Sequence, residues 1–91
     1  MDNTEKKHLL EKMMRELQDI LNSQTSLLKK ISQLEAENMN LGNSVLEKRL
    51  PDIHGKVDDG ITEIAQVIEE FTAATNKFIA DNRLDEVQEE R

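Results

Sequence analysis

The sequence predicts an all-α fold: a two-helix antiparallel hairpin with coiled-coil packing that completes a helical bundle by oligomerisation or partner binding. Core positions alternate at spacings of three and four residues from Leu10 to Val45, which places them on one seam of a helix. Phe71 and Phe78 are the only aromatic residues among 91, which favours packed aliphatic helices over a thick globular core. There is no cysteine, so a disulfide scaffold is excluded. This length accommodates one small domain.

The first helix is predicted to begin between Asp2 and Thr4. Asp2 is followed three residues later by Glu5, the spacing of a capping box, and Thr4 alone is a second candidate cap. The seam residues that follow occupy heptad positions a and d. Position a is held by Leu10, Leu17, Gln24, Ile31, Asn38 and Val45, and position d by Met13, Ile20, Leu27, Leu34 and Leu41.

Two positions are candidates for the break between the helices. Gly42 is a candidate left-handed terminator, with Ser44 and Glu47 as a capping box for the next helix. The alternative is Leu50-Pro51, because the residue before proline avoids helical angles. An interior glycine costs only ~1 kcal/mol and an interior proline ~3 kcal/mol, so we expect the main break at Pro51. The predicted segments are helix one at 4–49, a connection at 50–59, helix two at 60–82 and a frayed acidic tail at 83–91.

The second helix carries its own apolar stripe, which we expect to pack on part of the first seam. That packing predicts a hairpin core. It comprises Ile20, Ile31, Leu34, Leu41, Val57, Ile61, Ile64, Ile68, Phe71 and Phe78.

The seam is too wide for one partner in the N-terminal half of the first helix. Met14, Leu21 and Leu28 occupy position e and Leu9 occupies position g, where a two-stranded zipper usually carries charges. An apolar patch of this width marks an interaction surface when one helix cannot cover it. The predicted partner interface is Leu9, Leu10, Met13, Met14, Leu17, Leu21, Leu27 and Leu28.

Two polar residues interrupt position a. Gln24 and Asn38 are candidates for setting register and oligomeric state by pairing with a polar partner. For Asn38 an equally weighted alternative is a weakly packed, solvent-reached end of the seam near Glu35. The sequence leaves both readings open.

Catalytic chemistry is not indicated. His8 and His54 each lack the converging ligands that a metal site needs, so we expect no metal, cofactor or small-molecule substrate. The net charge of −7 argues against nucleic-acid binding. No stretch approaches the ~20 apolar residues of a membrane span, and the charged N-terminus is not a signal peptide. These features predict a cytoplasmic chain, or one exported without a cleaved signal.

Two short motifs of a known family are present in part. The central residues Asn40-Leu41-Gly42 keep the glycine of a Trp-x-Gly turn motif but have Asn40 in place of the tryptophan. The family's export motif is an aromatic residue followed by Asp or Glu at +4, whereas Phe78 is followed there by Asn82, with Asp81 one residue early. With its acidic two-helix pattern, the chain resembles the small helical hairpins of type VII (ESX) secretion and the helical accessory partners of LXG toxins. That resemblance implies a non-enzymatic partner of a larger secreted protein, packed beside it as helices.

Three functions are compatible with these features. The leading prediction is a non-enzymatic adaptor, targeting or chaperone-like subunit that binds helices through its a/d/e stripe, as homodimer or heteromer. A second is a self-assembling coiled coil or scaffold with long parallel helices. A third, an acidic inhibitor or regulator of a basic partner, rests only on net charge.

Overall fold

The first helix begins where the capping box predicts. In the computed structural model, which describes residues 1–84, α1 spans Asn3–Leu41. The Asp2 carboxylate accepts from the Glu5 amide at 2.8 Å, and the Glu5 carboxylate accepts from the Asp2 amide at 2.9 Å. The reciprocal pair satisfies two amides that a helix start leaves without a partner.

The chain reverses at Gly42, so the predicted break at Pro51 is wrong. Gly42 adopts φ +72°, a left-handed conformation that glycine reaches without a steric penalty, and its amide donates to the Asn38 carbonyl at 2.7 Å. Asn43 caps the next helix by accepting from the amides of Val45 and Leu46. Helix α2 therefore spans Ser44–Asp81, and residues 45–59, predicted as the end of helix one and a connection, lie inside it.

Equal arm lengths explain why the turn lies at Gly42. With 39 residues in α1 and 38 in α2, each helix covers the whole of the other, whereas a turn at Pro51 would leave a long unpaired overhang. Pro51 stays within α2 although it lacks the amide that would bond to the carbonyl four residues earlier. The gain in packing over the full length outweighs this local loss.

The helices pack antiparallel, as the sequence predicts. At the open end the Asn3 side-chain amide donates to the Asn82 side-chain oxygen at 2.9 Å, and further along the Thr72 hydroxyl donates to the Met14 sulfur at 3.1 Å. The molecule measures 64 × 20 × 19 Å, close to the ~60 Å length that 1.5 Å per residue predicts. The all-α hairpin is confirmed.

The hairpin interior uses positions a and e of α1, not a and d. One packed helix covers about two adjacent rows, and here α2 lies over the a and e rows. The residues in this interior are Leu10, Met14, Leu17, Leu21, Gln24, Leu28, Ile31, Glu35 and Asn38 of α1. Facing them are Leu50, His54, Val57, Ile61, Ile64, Ile68, Phe71, Thr75 and Phe78 of α2.

Three members of the predicted hairpin core are therefore misplaced. Ile20, Leu34 and Leu41 are exposed, because they belong to row d, which lies to one side of the a/e interior. The remaining predicted core residues are buried or half-buried.

The predicted fraying of the tail is wrong for its first apolar anchor. After a turn in which Arg83 takes a positive φ, Leu84 is buried. The rest of that tail, 85–91, lies outside the described residues.

Candidate interaction face

Helix α1 leaves a row of apolar side chains in solvent. Met13, Ile20, Leu27 and Leu34 recur every seven residues and are between 41 and 48% exposed, and Leu41 is 73% exposed. Residues seven apart lie almost directly above one another on a helix, so the row is continuous along about 42 Å.

A second row on α2 borders the same side of the hairpin. Ile53, Gly60, Val67 and Ala74 also recur every seven residues, and Ile53 and Val67 are exposed. At the open end, Leu9 and Met13 line an apolar groove of about 340 Å³ together with Ala74 and Phe78, which shows that the two rows adjoin. The apolar face comprises Leu9, Met13, Ile20, Leu27, Leu34 and Leu41 of α1 and Ile53, Gly60, Val67 and Ala74 of α2.

The opposite side of the hairpin is polar along most of α1. Glu11, Gln18, Thr25 and Ser32 occupy the row on the other flank of the interior, and the row ends in Met39, which is 85% exposed. A groove there is lined by charged, polar and apolar side chains: Glu11, Met14, Arg15, Gln18, Thr75, Asn76 and Ile79. Apart from Met1 and from Met39 and Val45 beside the turn, the large exposed apolar side chains of residues 1–84 lie on the other side.

Two helices alone give this chain a thin interior. Among residues 1–84 no large side chain is fully buried, and the apolar residues that count as buried are Ile31, Leu50 and Leu84. The accessible surface is 6976 Å², against about 5400 Å² expected for a compact monomer of 10.5 kDa. Further apolar burial would have to come from outside the hairpin.

A polar notch interrupts the apolar face near its middle. Because Gly60 has no side chain, the Gln24 amide nitrogen comes within 3.2 Å of the position that a β-carbon there would occupy. The Gln24 amide oxygen is buried and has no hydrogen-bond donor within residues 1–84. The Thr75 hydroxyl, in a residue only 3% exposed, is likewise without a partner in this region. Such groups cost free energy unless another group pairs with them.

Asn38 serves the turn. Its side-chain amide donates to the Asn43 carbonyl at 3.0 Å, and its side-chain oxygen accepts from the Asn43 amide at 2.9 Å. Asn38 is 7% exposed, so the alternative prediction that it lies in a solvent-reached end of the seam is wrong. A buried amide that bonds the turn in this way is satisfied within the chain.

Charged residues flank the apolar face in a regular pattern. Each lies three residues after a member of an apolar row, and residues at that spacing are neighbours on a helix. Glu16 and Lys30 follow Met13 and Leu27 in α1. Lys56 and Glu70 follow Ile53 and Val67 in α2.

These four flanking charges form two levels along the hairpin, whereas Glu37, Glu63 and Lys77, which follow row members at the same spacing, lie outside these levels. The Met14–Thr72 hydrogen bond fixes the levels, since both helices rise equally per residue. Glu16 and Glu70 then share one level toward the open end, and Lys30 and Lys56 share another toward the turn. Glu16 also pairs with Lys12 at 3.6 Å on the exposed surface.

The predicted partner interface divides between two surfaces. Leu10, Met14, Leu17, Leu21 and Leu28 are half-buried in the hairpin interior, and Leu9, Met13 and Leu27 lie on the apolar face. Sequence reasoning missed the contribution of α2, although the seven-residue spacing of its second row was readable from the sequence.

Neither similarity to a known protein nor a metal-binding cluster in residues 1–84 indicates a second candidate site. No family model, curated protein or solved structure matches the chain. Within residues 1–84, no three His, Asp or Glu side chains come close enough to hold a metal ion. The described helices include none that is long and apolar enough to cross a membrane.

Proposed function

We propose that this chain is a non-enzymatic helical interaction module that uses its apolar face to pack against other helices. The observation that carries the proposal is the exposed row from Met13 to Leu34, which adjoins a second apolar row on α2. Contiguous apolar surface of this extent usually marks a protein-binding site.

The energetics support the same function. Moving a Leu, Ile or Met side chain from full exposure to full burial contributes about 1.5–3 kcal/mol, and Met13, Ile20, Leu27 and Leu34 are 41 to 48% exposed. Each therefore offers roughly half of that gain on association. A hairpin that supplies two sides of a four-helix bundle would bury the apolar face while leaving the polar side in solvent.

The role within an assembly follows from the chemistry of the face. An adaptor, targeting or chaperone-like subunit needs an adaptable apolar surface, and Met13 beside leucine and isoleucine supplies one. The type VII resemblance stays a prediction. Its support is that Gly42, the residue shared with the Trp-x-Gly motif, forms the turn.

A matched pair of variants tests this function. Ile20→Glu with Leu27→Glu places two charges on the apolar face, and Thr25→Glu with Ser32→Glu places the same charges at the same spacing on the polar side. We expect the wild type and the polar-side variant to form a stoichiometric assembly, and the apolar-face variant to lose it. Sedimentation of the chain, alone and co-expressed with proteins encoded beside it, measures this, and circular dichroism checks that helicity is kept.

The proposal would be contradicted if the wild-type chain stayed monomeric under all these conditions, unfolded cooperatively at high temperature and sedimented like the apolar-face variant.

A further inference from the structure

We infer that the apolar face takes a second copy of this chain in antiparallel orientation, with the two turns at opposite ends. This inference rests on the proposed interaction function and names its partner. It draws on two observations: the charge levels and the available area.

The charge levels select the antiparallel arrangement. When a two-fold axis across the hairpins inverts one copy, α1 lies over α1 and α2 over α2. Glu16 of each copy then meets Lys30 of the other, and Lys56 meets Glu70. When the turns lie at the same end, α1 lies over α2, so Glu16 meets Glu70 and Lys30 meets Lys56. The same four residues attract in the first arrangement and repel in the second, in which Glu37 and Arg49 form the one attractive kind of pair on these flanks.

Two like-charge positions remain in the antiparallel arrangement. Arg49 comes opposite Lys77, and the two copies of Glu63 lie near the axis. Lys77 keeps its charge, because the hydrogen bond to Asp81 at 2.9 Å and the charge of Asp81 raise its pKa above the ordinary value. In the dimer the Glu16–Lys30, Lys56–Glu70 and Arg49–Lys77 pairs each occur twice and the Glu63–Glu63 pair once. Four complementary contacts therefore oppose three repulsive ones.

The axis required by the charges lies near the middle of both helices. Midway between Glu16 and Lys30 is Ser23 in α1, and midway between Lys56 and Glu70 is Glu63 in α2.

The contact area is sufficient for a stable dimer. Residue 22 is the midpoint of α1, so an axis at this level lets two hairpins overlap along their full length of about 57 Å. With a width of 20 Å, each copy buries roughly 1,000 Å², compared with about 800 Å² per partner in standard interfaces. The apolar row on α2 alternates large and small residues. The antiparallel axis places Ile53 over Ala74 and Val67 over Gly60, so that the side chains of the two copies can interdigitate.

Spin labels measure the orientation directly. The chain has no cysteine, so Asn40→Cys puts one label on the exposed α1 surface near the turn, outside the apolar face. In the antiparallel dimer two such labels lie about 50 Å apart along the axis, and with both turns at one end they lie roughly 25 Å apart across the bundle. Double electron–electron resonance on the purified chain should give the longer distance. Ser26→Cys, near the axis, is the control that gives a short distance in either dimer.

One further variant tests the cause of the orientation. Glu16→Lys with Lys30→Glu keeps the net charge and the α1 pairing, but it also makes the same-end arrangement attractive, so a second population near 25 Å should appear. A wild-type distance near 25 Å, or no dipolar coupling because the chain is monomeric, overturns the inference. In the first case the proposed function stands, and in the second it is decided by the co-expression experiment.

Discussion

At the scale of single residues, the turn depends on backbone geometry at Gly42 and on the Asn38 side chain. Gly42 adopts a left-handed conformation and offers its amide to Asn38, whose side chain bonds both backbone groups of Asn43. A side chain at Gly42 would meet no neighbouring atom within 4 Å, so any cost of adding one is a cost of the backbone conformation. The turn is therefore specified locally.

Two alanine substitutions separate the effect of the backbone conformation at a glycine from the effect of the space around it. A β-carbon at Gly55 also meets nothing within 4 Å, but Gly55 lies inside α2 with helical geometry. Gly42→Ala should lower the free energy of unfolding by about 1 kcal/mol, and Gly55→Ala should raise it by about 0.5–1 kcal/mol. Urea unfolding followed by circular dichroism measures both. If both substitutions changed the free energy of unfolding in the same direction, the result would show that α1 does not end at Gly42.

The residue scale also shows what the sequence can predict. The Asp2–Glu5 capping box was predictable because both partners lie within one helical turn. The turn at Gly42 was not, because the apolar spacing continues past it to Val45, which is in fact exposed. The local free-energy costs of glycine and proline in a helix identify Pro51 as the stronger helix breaker. The position of the turn is instead decided by the matching lengths of α1 and α2, which is not a local property.

At the scale of helices, α2 tolerates a proline in its interior. Pro51 is the eighth residue of α2 and cannot donate to the carbonyl of Glu47. The adjacent Leu50 is buried, and the helix continues for thirty residues beyond Pro51, so packing on α1 holds the segment helical.

The packing of whole helices also determines that positions a and e of α1 form the hairpin interior. Rows d and e are both apolar, and only the docking of α2 distinguishes them.

Replacing the proline should stabilise the hairpin. Pro51→Ala restores an amide donor and removes the ring clash, so we expect a gain of about 1–3 kcal/mol in the free energy of unfolding. Thermal and urea unfolding measure the gain. The exposed Asp52→Ala, one residue later in the same helix, is the control and should change stability by less than about 0.5 kcal/mol. A loss of stability in Pro51→Ala would mean that the proline shapes α2 for packing on α1.

At the scale of the whole molecule, the hairpin buries one side of each helix and exposes another apolar side. No large side chain in residues 1–84 is fully buried, and the apolar face runs along most of α1. The sequence predicts excess apolar width but assigns it to the wrong rows, because it cannot show which rows α2 covers. The central claim is that helices from outside the hairpin cover the apolar face in the working state.

The melting temperature of the purified wild-type chain, measured at about 2 and 200 μM, tests this claim most directly. A hairpin stabilised by a second copy gains stability by mass action, so a hundredfold increase in concentration should raise the melting temperature by about 5–10 °C. The variant Thr25→Glu with Ser32→Glu should show the same dependence, and Ile20→Glu with Leu27→Glu should melt lower and show none. A wild-type melting temperature that is high, cooperative and equal at both concentrations would contradict the account.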